Sequence, residues 1–267
     1  MSMQQMLLGG AAKPIPIGQQ LFDGSAAQTT NWTVPDDVTK ISAVAVGAGG
    51  NGSQGWNTSQ TQWHSYRNHG GAGGTGGCLV YSNDISVTPG ETLTIIAADR
   101  PAQQSGTADY DGHDGGPSGI KRGSTWILKA PGGTGGVQWD FLGTTTANGG
   151  GMWSQYPDNT GYVGQVVRNG GYVRGPSGKA TQGVCVVGGS GAAGYSGNGG
   201  NSGLHVKALA ADNNVSDGTH TGGAGNGGGG GGGCPALNSA GSGGGGVGLL
   251  GEGSNGTSGI LKASSSA

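Results

Sequence analysis

Residues 188–203, with the sequence GGSGAAGYSGNGGNSG, place a glycine at every third position without a break. These glycines are Gly188, Gly191, Gly194, Gly197, Gly200 and Gly203. A flexible glycine linker has no reason to keep such a register, because all of its residues are solvated alike. A period of three is typical of the extended polyproline II helix, which has no internal hydrogen bonds. The register therefore predicts a polyglycine II helix over 188–203.

The same spacing recurs elsewhere in the chain. It is found at Gly222, Gly225, Gly228 and Gly231, at Gly253, Gly256 and Gly259, and in the glycine-rich triplets of residues 70–78 and 132–137. At about 3.1 Å per residue, 188–203 would extend over about 50 Å and 222–233 over about 37 Å. Such helices can satisfy one another's backbone groups when they pack side by side. We expect a bundle of them, and a disordered low-complexity linker is the alternative.

The first half of the chain, in contrast, is rich in β-branched runs. Strands are predicted over 32–35, 40–46, 78–81, 85–87, 91–96, 125–129 and 137–142, and a later one over 184–187. Pro89-Gly90 is a turn signal between two of them, and Trp32 and Trp126 are expected in the β core. No stretch shows the 3.6-residue period of an amphipathic helix. The predicted fold class is all-β and irregular: an N-terminal β-sandwich-like part, then a polyglycine II bundle with long loops and almost no α-helix.

This division predicts three units along the chain. Residues 1–24 are interpreted as an N-terminal attachment segment. Residues 25–137 form a glycine-rich β domain with an inserted loop, and residues 138–267 form the polyglycine II region that displays further loops.

Composition and charge exclude several functions. Of 267 residues 66 are glycine, 10% are charged, and the formal net charge is −2. The basic stripe of a nucleic-acid-binding protein is missing, and no apolar run is long enough to cross a bilayer. The first ten residues lack the features of a signal peptide. Three scattered cysteines without a C-x-x-C spacing predict buried, reduced thiols, not a disulfide framework or a zinc site.

The sequence also predicts no catalytic site, cofactor or metal. The stretch 109–114, Asp-Tyr-Asp-Gly-His-Asp, resembles the start of a calcium loop but lacks its closing glutamate. Nucleophile-elbow, zinc-protease and P-loop motifs are absent. A polysaccharide depolymerase would need paired carboxylates, and Asp140, Asp158, Asp212 and Glu252 are too dispersed to pair. We therefore expect a protein that is not an enzyme.

The segments between the glycine tracts are rich in aromatic residues that stand among Asn, Gln, Ser, Thr and Gly. This is the composition of binding loops, where broad amphipathic rings supply contact area at low entropic cost. Structural caps at the ends of a thin scaffold are the alternative. The candidate binding residues are Trp56, Trp63, His64, Tyr66, Arg67, Tyr110, Trp139, Trp153 and Tyr156.

Two features resemble known families. The stretch from Trp32-Thr33-Val34-Pro35 to Thr88-Pro89-Gly90-Glu91-Thr92-Leu93 is similar to the glycine-rich β domain of bacteriophage tail proteins and bacterial surface proteins. The alternation of glycine tracts with variable loops over 47–259 resembles the receptor-binding adhesins at the tips of T-even phage long tail fibres. That resemblance implies a polyglycine II core whose distal loops select a host surface receptor.

These resemblances predict a virion tail protein that is assembled in the host cytoplasm and binds the host cell through its loops. The expected partners are a host outer-membrane protein or surface glycan and other virion tail proteins, without nucleic acid or membrane insertion, and homo-oligomerisation is left open. The alternative is a purely structural tail or capsid decoration protein.

Overall fold

A computed structural model describes residues 18–22, 28–52, 56–57, 68–69, 73–98, 112–136, 161–171, 173, 183–187, 189–202, 204–208, 247–248 and 251–252. These residues form thirteen strands and no helix. The strands are β1 (Gln28–Thr33), β2 (Lys40–Val46), β3 (Trp56–Asn57), β4 (Asn68–His69), β5 (Leu79–Ser86), β6 (Thr92–Ala97), β7 (Ser118–Arg122), β8 (Thr125–Ala130), β9 (Val166–Arg168), β10 (Gly183–Val187), β11 (Leu204–Ala208), β12 (Val247–Gly248) and β13 (Gly251–Glu252). The predicted all-β fold class is confirmed.

Two antiparallel sheets pack face to face as an open sandwich, which does not close into a barrel. One sheet has the strand order β1-β6-β7-β8 and the other β2-β5-β9. Val80 and Ala45 from the smaller sheet share one apolar core with Leu93, Ile120 and Leu128 from the larger. Strand alternation explains this core, because every second residue of each strand points inward. Three more pairs of short strands, β3–β4, β10–β11 and β12–β13, lie outside the two sheets.

Most of the predicted strands are present. The predicted strand over 40–46 coincides with β2, and the runs at 78–81 and 85–87 join into the single strand β5. Gly90 in the predicted turn has a φ of 77°, which glycine adopts without a steric cost. The run at 137–142 lies outside the described residues.

The prediction that Trp126 lies in the β core is wrong. Ile120 pairs with Leu128, but the next pair is Lys121 with Trp126, so Ile127 is an extra residue in β8. This β-bulge turns Trp126 to the outer face of the sheet, because a bulge shifts the alternation of side chains by one residue. Trp32, in contrast, packs against the core as expected.

Glycine-rich segments continue directly from the ends of the strands. Residues 47–52 follow β2 and residues 131–136 follow β8, whereas residues 73–78 lead into β5 and residues 112–116 lead towards β7. These four segments belong to no sheet, yet they are joined by backbone hydrogen bonds. We call them, together with 169–171, 189–194 and 197–202, the glycine bundle.

The hydrogen bonds of the glycine bundle repeat every three residues. Donors three positions apart bond to the same neighbouring segment, and consecutive donors bond to different ones. The bonds run from Gly47 N to Cys78 O (2.8 Å), Gly50 N to Thr75 O (3.0 Å), Ala48 N to Gly116 O (3.1 Å), Asn51 N to His113 O (2.9 Å), Gly133 N to Ala48 O (2.8 Å) and Gly136 N to Asn51 O (2.7 Å). A β-strand directs its backbone groups to two sides only, whereas a helix with three residues per turn directs them to three. A hydrogen-bond pattern that repeats every three residues is the one expected for polyglycine II helices that pack side by side.

The segments of the bundle are too close together to admit side chains. A Cβ built on Gly50 would overlap the carbonyl of Thr134, and one built on Gly133 would overlap the carbonyl of Thr75, both well under 3.0 Å. Gly49 is different, because its Cβ would lie 3.6 Å from the nearest atom, the carbonyl oxygen of Thr75. Glycine at the first two positions is therefore required by contact with a neighbouring backbone.

The tract 188–203 is not one straight helix, so this prediction is wrong. Gly191 N donates to Gly200 O at 2.8 Å, and Gly194 N donates to Gly197 O at 3.0 Å. The tract thus folds back at Tyr195 into two antiparallel segments. The glycine period does not show which segment accepts the hydrogen bond from Gly191 N. Here the acceptor is in the second half of the same tract, not in a neighbouring tract. The predicted neighbour, 222–233, lies outside the described residues.

Candidate binding site at the loop end of the glycine bundle

The described parts of four segments of the bundle stop at one place. Gly136 N donates to Asn51 O at 2.7 Å, and Gly112 N donates to Gly136 O at 2.6 Å. Gly74 lies against the carbonyls of Gly50 and Asn51. We call Asn51, Gly74, Gly112 and Gly136 the loop end of the bundle, because the chain enters or leaves the predicted binding loops there. The opposite end of the same segments joins strands β2, β5, β7 and β8.

The three segments that contain the nine candidate residues are all attached to this end. Residues 53–72 leave and return beside it, residues 99–111 return to it at Gly112, and residues 137–160 depart from it after Gly136. The topology therefore brings together the anchor points of three segments that lie far apart in the sequence.

Trp56 is the one candidate residue within the described part of the chain. It begins β3, which pairs antiparallel with β4 in the register Trp56–His69 and Asn57–Asn68. Residues 58–67 thus connect two paired strands. This pairing fixes the two ends of the loop segment that contains the candidates Trp63 and Tyr66.

The other candidates lie outside the described residues. They are Trp63, His64, Tyr66, Arg67, Tyr110, Trp139, Trp153 and Tyr156. Their role in binding remains a prediction from sequence, and the shared anchor points of their loops support it.

Side chains reinforce the backbone just below the loop end. Thr134 N donates to Thr75 Oγ1 at 2.7 Å, and the two threonine hydroxyls are 3.2 Å apart. Gly135 N donates to Asp114 Oδ1 at 2.7 Å. Thr75 is buried, with 1% of its surface exposed. The loops therefore start from a backbone whose polar groups are held in place, as rigidly supported binding loops require.

Asp114 is also the last residue of the stretch that resembles a calcium loop. Its Oδ1 accepts the hydrogen bond from Gly135, whereas Asp109 and Asp111 lie outside the described residues. Within the described part of the chain, no group of three or more His, Cys, Asp or Glu side chains could hold a metal ion. The same residues include no helix that is long and apolar enough to span a membrane.

A charge pair lies at the end of the sandwich that is remote from the bundle, where β6 begins and β7 ends. Arg122 donates from Nε and from a terminal nitrogen to the two carboxylate oxygens of Glu91, at 2.9 and 3.0 Å. These hydrogen bonds, and one from Thr88 N, lower the pKa of Glu91, and the same pair raises the pKa of Arg122. Arg122 is exposed and Glu91 is half-buried at the surface, so solvent screens the pair and it contributes little to stability.

Two surface features were not predicted from the sequence. A shallow groove of about 290 Å³ runs along the outer face of β2 and β5 and contains Tyr81, Asn83 and Tyr195. Burial raises the pKa of the Tyr195 phenol. On the larger sheet, Trp126 lies between Lys121 and Lys129. No sequence motif predicts either feature, because the groove depends on the fold-back at Tyr195 and the position of Trp126 depends on the bulge at Ile127.

The sequence model of the family described as glycine-rich domain matches residues 25–263, and the chain belongs to this family. The match includes both the sandwich and the glycine bundle. No curated protein matches the sequence.

Proposed function

We propose that this protein is a bacteriophage tail protein that binds a host cell-surface receptor through the aromatic and polar loops at the loop end of the bundle. The observation that carries the proposal is the convergence of three loop attachments at Asn51, Gly74, Gly112 and Gly136. A rigid support with variable loops at one end is the usual arrangement of binding proteins, because the support holds the contact residues without taking part in recognition.

The glycine bundle itself is a poor place for selectivity. Its segments contact one another through backbone atoms, and a Cβ at Gly50 or Gly133 would overlap a neighbouring carbonyl. Chemical variety must therefore reside in the loops. The receptor would be an outer-membrane protein or a surface glycan of the host. The opposite end of the bundle, which joins β2, β5, β7 and β8, would face other virion tail proteins.

The proposed role involves no catalysis and no cofactor. It requires a set of exposed anchors, and interface energy concentrates in a few Trp, Tyr and Arg residues. The predicted loop 53–69 supplies Trp63, Tyr66 and Arg67, and the predicted loop 138–160 supplies Trp153 and Tyr156.

The test measures binding of the labelled full chain to a panel of Gram-negative strains. The triple variant Trp63→Ala/Tyr66→Ala/Arg67→Ala and the double variant Trp153→Ala/Tyr156→Ala should each weaken binding by at least about tenfold, or about 1.4 kcal/mol. Tyr162→Ala is the matched control, since Tyr162 is 46% exposed and precedes the Val163–Lys129 bridge beside β8. It should bind as the unchanged protein does.

Two results would contradict the proposal. One is that the unchanged chain binds no strain. The other is that the loop variants bind cells normally but fail to enter virus particles, which would favour the purely structural tail or capsid decoration protein.

A further inference from the structure

The outer face of the larger sheet carries a tryptophan between two lysines. The Nζ atom of Lys121 lies 4.5 Å from the centroid of the Trp126 ring, and that of Lys129 lies 5.9 Å from it. Both distances are within the range of cation–π attraction. The three residues come from neighbouring strands, β7 and β8.

The bulge in β8 creates this arrangement. Leu128 pairs with Ile120 and is fully buried, so a regular strand would place Trp126 on the same inner face. The extra residue, Ile127, moves Trp126 to the outer face instead. Bulges often re-aim a side chain next to functional sites. A large apolar ring is thereby taken out of the core and presented at the surface.

The two lysines are not used in ion pairs within the described part of the chain. The pairs found there are Lys40 with Asp84 and Arg122 with Glu91. Lys121 and Lys129 instead share the ring of Trp126. Their ammonium groups therefore remain able to donate hydrogen bonds to an anion at this face.

Neutral polar groups extend the face across the sheet. The register aligns Asn31, Thr94, Lys121 and Trp126 in one row, with one residue from each strand. Thr94 Oγ1 donates to Asn31 Oδ1 at 3.4 Å. Three strand spacings give this row a length of about 14 Å. Beside it, Lys129 pairs with Gly119, which has no side chain to cover the face.

We propose that this face, defined by Asn31, Thr94, Lys121, Trp126 and Lys129, binds an anionic polysaccharide. The lysines would hold carboxylate groups of the polymer, and Trp126 would contact the apolar face of a sugar ring. Asn31 and Thr94 would hydrogen-bond to hydroxyls along the row. A flat row fits an extended polymer better than a small molecule, which needs a concave pocket. Nucleic acid fits less well, since the chain has a net charge of −2 and no basic stripe.

This site is independent of the proposed receptor binding. None of its residues is among the proposed receptor-binding residues, although the segment 137–160 rejoins the described chain at Gly161, beside Lys129. The two proposals can therefore fail separately.

The test is a titration of the full chain with polygalacturonate at low salt, with dextran as the neutral polymer. We expect binding to polygalacturonate alone, and weaker binding as salt is added. Lys121→Gln and Lys129→Gln should each weaken it about fivefold. Trp126→Leu should weaken it as well, provided that its melting temperature shows a folded protein.

Lys40→Gln is the matched control, because it removes the same charge from an exposed lysine on the other sheet. It should bind polygalacturonate as the unchanged chain does. The loop variant Trp153→Ala/Tyr156→Ala should also bind it normally.

The proposal is overturned if the unchanged chain does not bind polygalacturonate, or if Lys40→Gln weakens binding as much as Lys121→Gln. Equal binding to duplex DNA, with the same dependence on Lys121 and Lys129, would also overturn it in favour of a general polyanion site. The lysine variants keep the test decisive even if Trp126→Leu fails to fold.

Discussion

The sandwich and the glycine bundle solve the same packing problem in opposite ways. The sandwich buries apolar side chains such as Leu93 and Leu128, which have no exposed surface. The bundle buries backbone, and its N–H and C=O groups pair across segments such as 47–52 and 73–78. In the sandwich, the packing depends on side chains whose shapes fit together. In the bundle, it depends on the absence of side chains, which lets the backbones touch.

This difference predicts opposite responses to substitution. In the sandwich, removal of atoms should be costly, because a cavity remains. In the bundle, addition of a single methyl group should be costly, because two backbones already touch. The following predictions test this comparison, beginning with the largest effect.

Leu128→Ala should lower the free energy of unfolding by about 2 to 5 kcal/mol, the usual range for a fully buried leucine. Leu128 belongs to the core that the two sheets share and has no exposed surface. Urea unfolding measures the change. Leu21→Ala is the control, because Leu21 is 56% exposed and its loss should change stability by less than about 0.5 kcal/mol. Equal effects of the two variants would mean that the sandwich core is not where we place it.

Ser190→Ala should destabilise the bundle by about 1 to 3 kcal/mol, because it leaves buried backbone groups unpaired. Ser190 Oγ accepts a hydrogen bond from Gly76 N at 3.0 Å and donates one to Gly171 O. Ser86→Ala, an exposed serine on β5, is the control and should be nearly neutral. If both variants are neutral, Ser190 does not link these segments.

The thiol of Cys78 should react slowly with a thiol reagent in the folded protein. Cys78 is fully buried where the bundle meets β5, and its backbone N–H donates to Pro131 O. Reaction therefore requires local opening of both regions. Labelling followed by mass spectrometry would measure the rate at this cysteine, and a rate equal to that of the unfolded chain would contradict close packing at the junction.

The smallest effect concerns Tyr195. Burial raises the pKa of its phenol above the unfolded value of about 10. Its contribution to stability is therefore fully present below about pH 10 and is lost as the pH rises through the folded pKa. The free energy of unfolding should therefore decline as the pH is raised above about 10, and the decline should be smaller in Tyr195→Phe. An identical decline in both proteins would mean that Tyr195 is not buried in the folded state.

The sequence predicted the type of fold well because one region carries β-branched runs with turn signals and the other carries a regular glycine period. The β-branched run at 40–46 located β2 to the residue. The spacing of three predicted packed glycine segments over 70–78 and 132–137, and the described parts of both, 73–78 and 132–136, are joined to other segments by backbone hydrogen bonds. The sequence did not show which glycine segments hydrogen-bond to one another. Nothing in the glycine pattern distinguishes a helix that continues from one that folds back at Tyr195, because both satisfy the same backbone groups.

For the candidate site, the sequence predicted aromatic loops but not their common origin. Residues 52, 73, 112 and 136 are far apart in the chain and meet only through the hydrogen bonds of the bundle. The lysine–tryptophan face was missed for a related reason. The bulge at Ile127 depends on the register between β7 and β8, and strand propensity places Trp126 inside.

The most direct test of the account compares two glycines of one segment. Gly50→Ala would push a methyl group into the backbone carbonyl of Thr134, whereas Gly49→Ala would place it in ordinary contact with Thr75, 3.6 Å away. Neither glycine has a positive φ, so backbone strain does not separate them. In urea unfolding, Gly50→Ala should lose about 1 to 3 kcal/mol or more, and Gly49→Ala should stay within about 0.5 kcal/mol of the unchanged protein. Equal and small losses at both positions would show that these segments are not packed against one another.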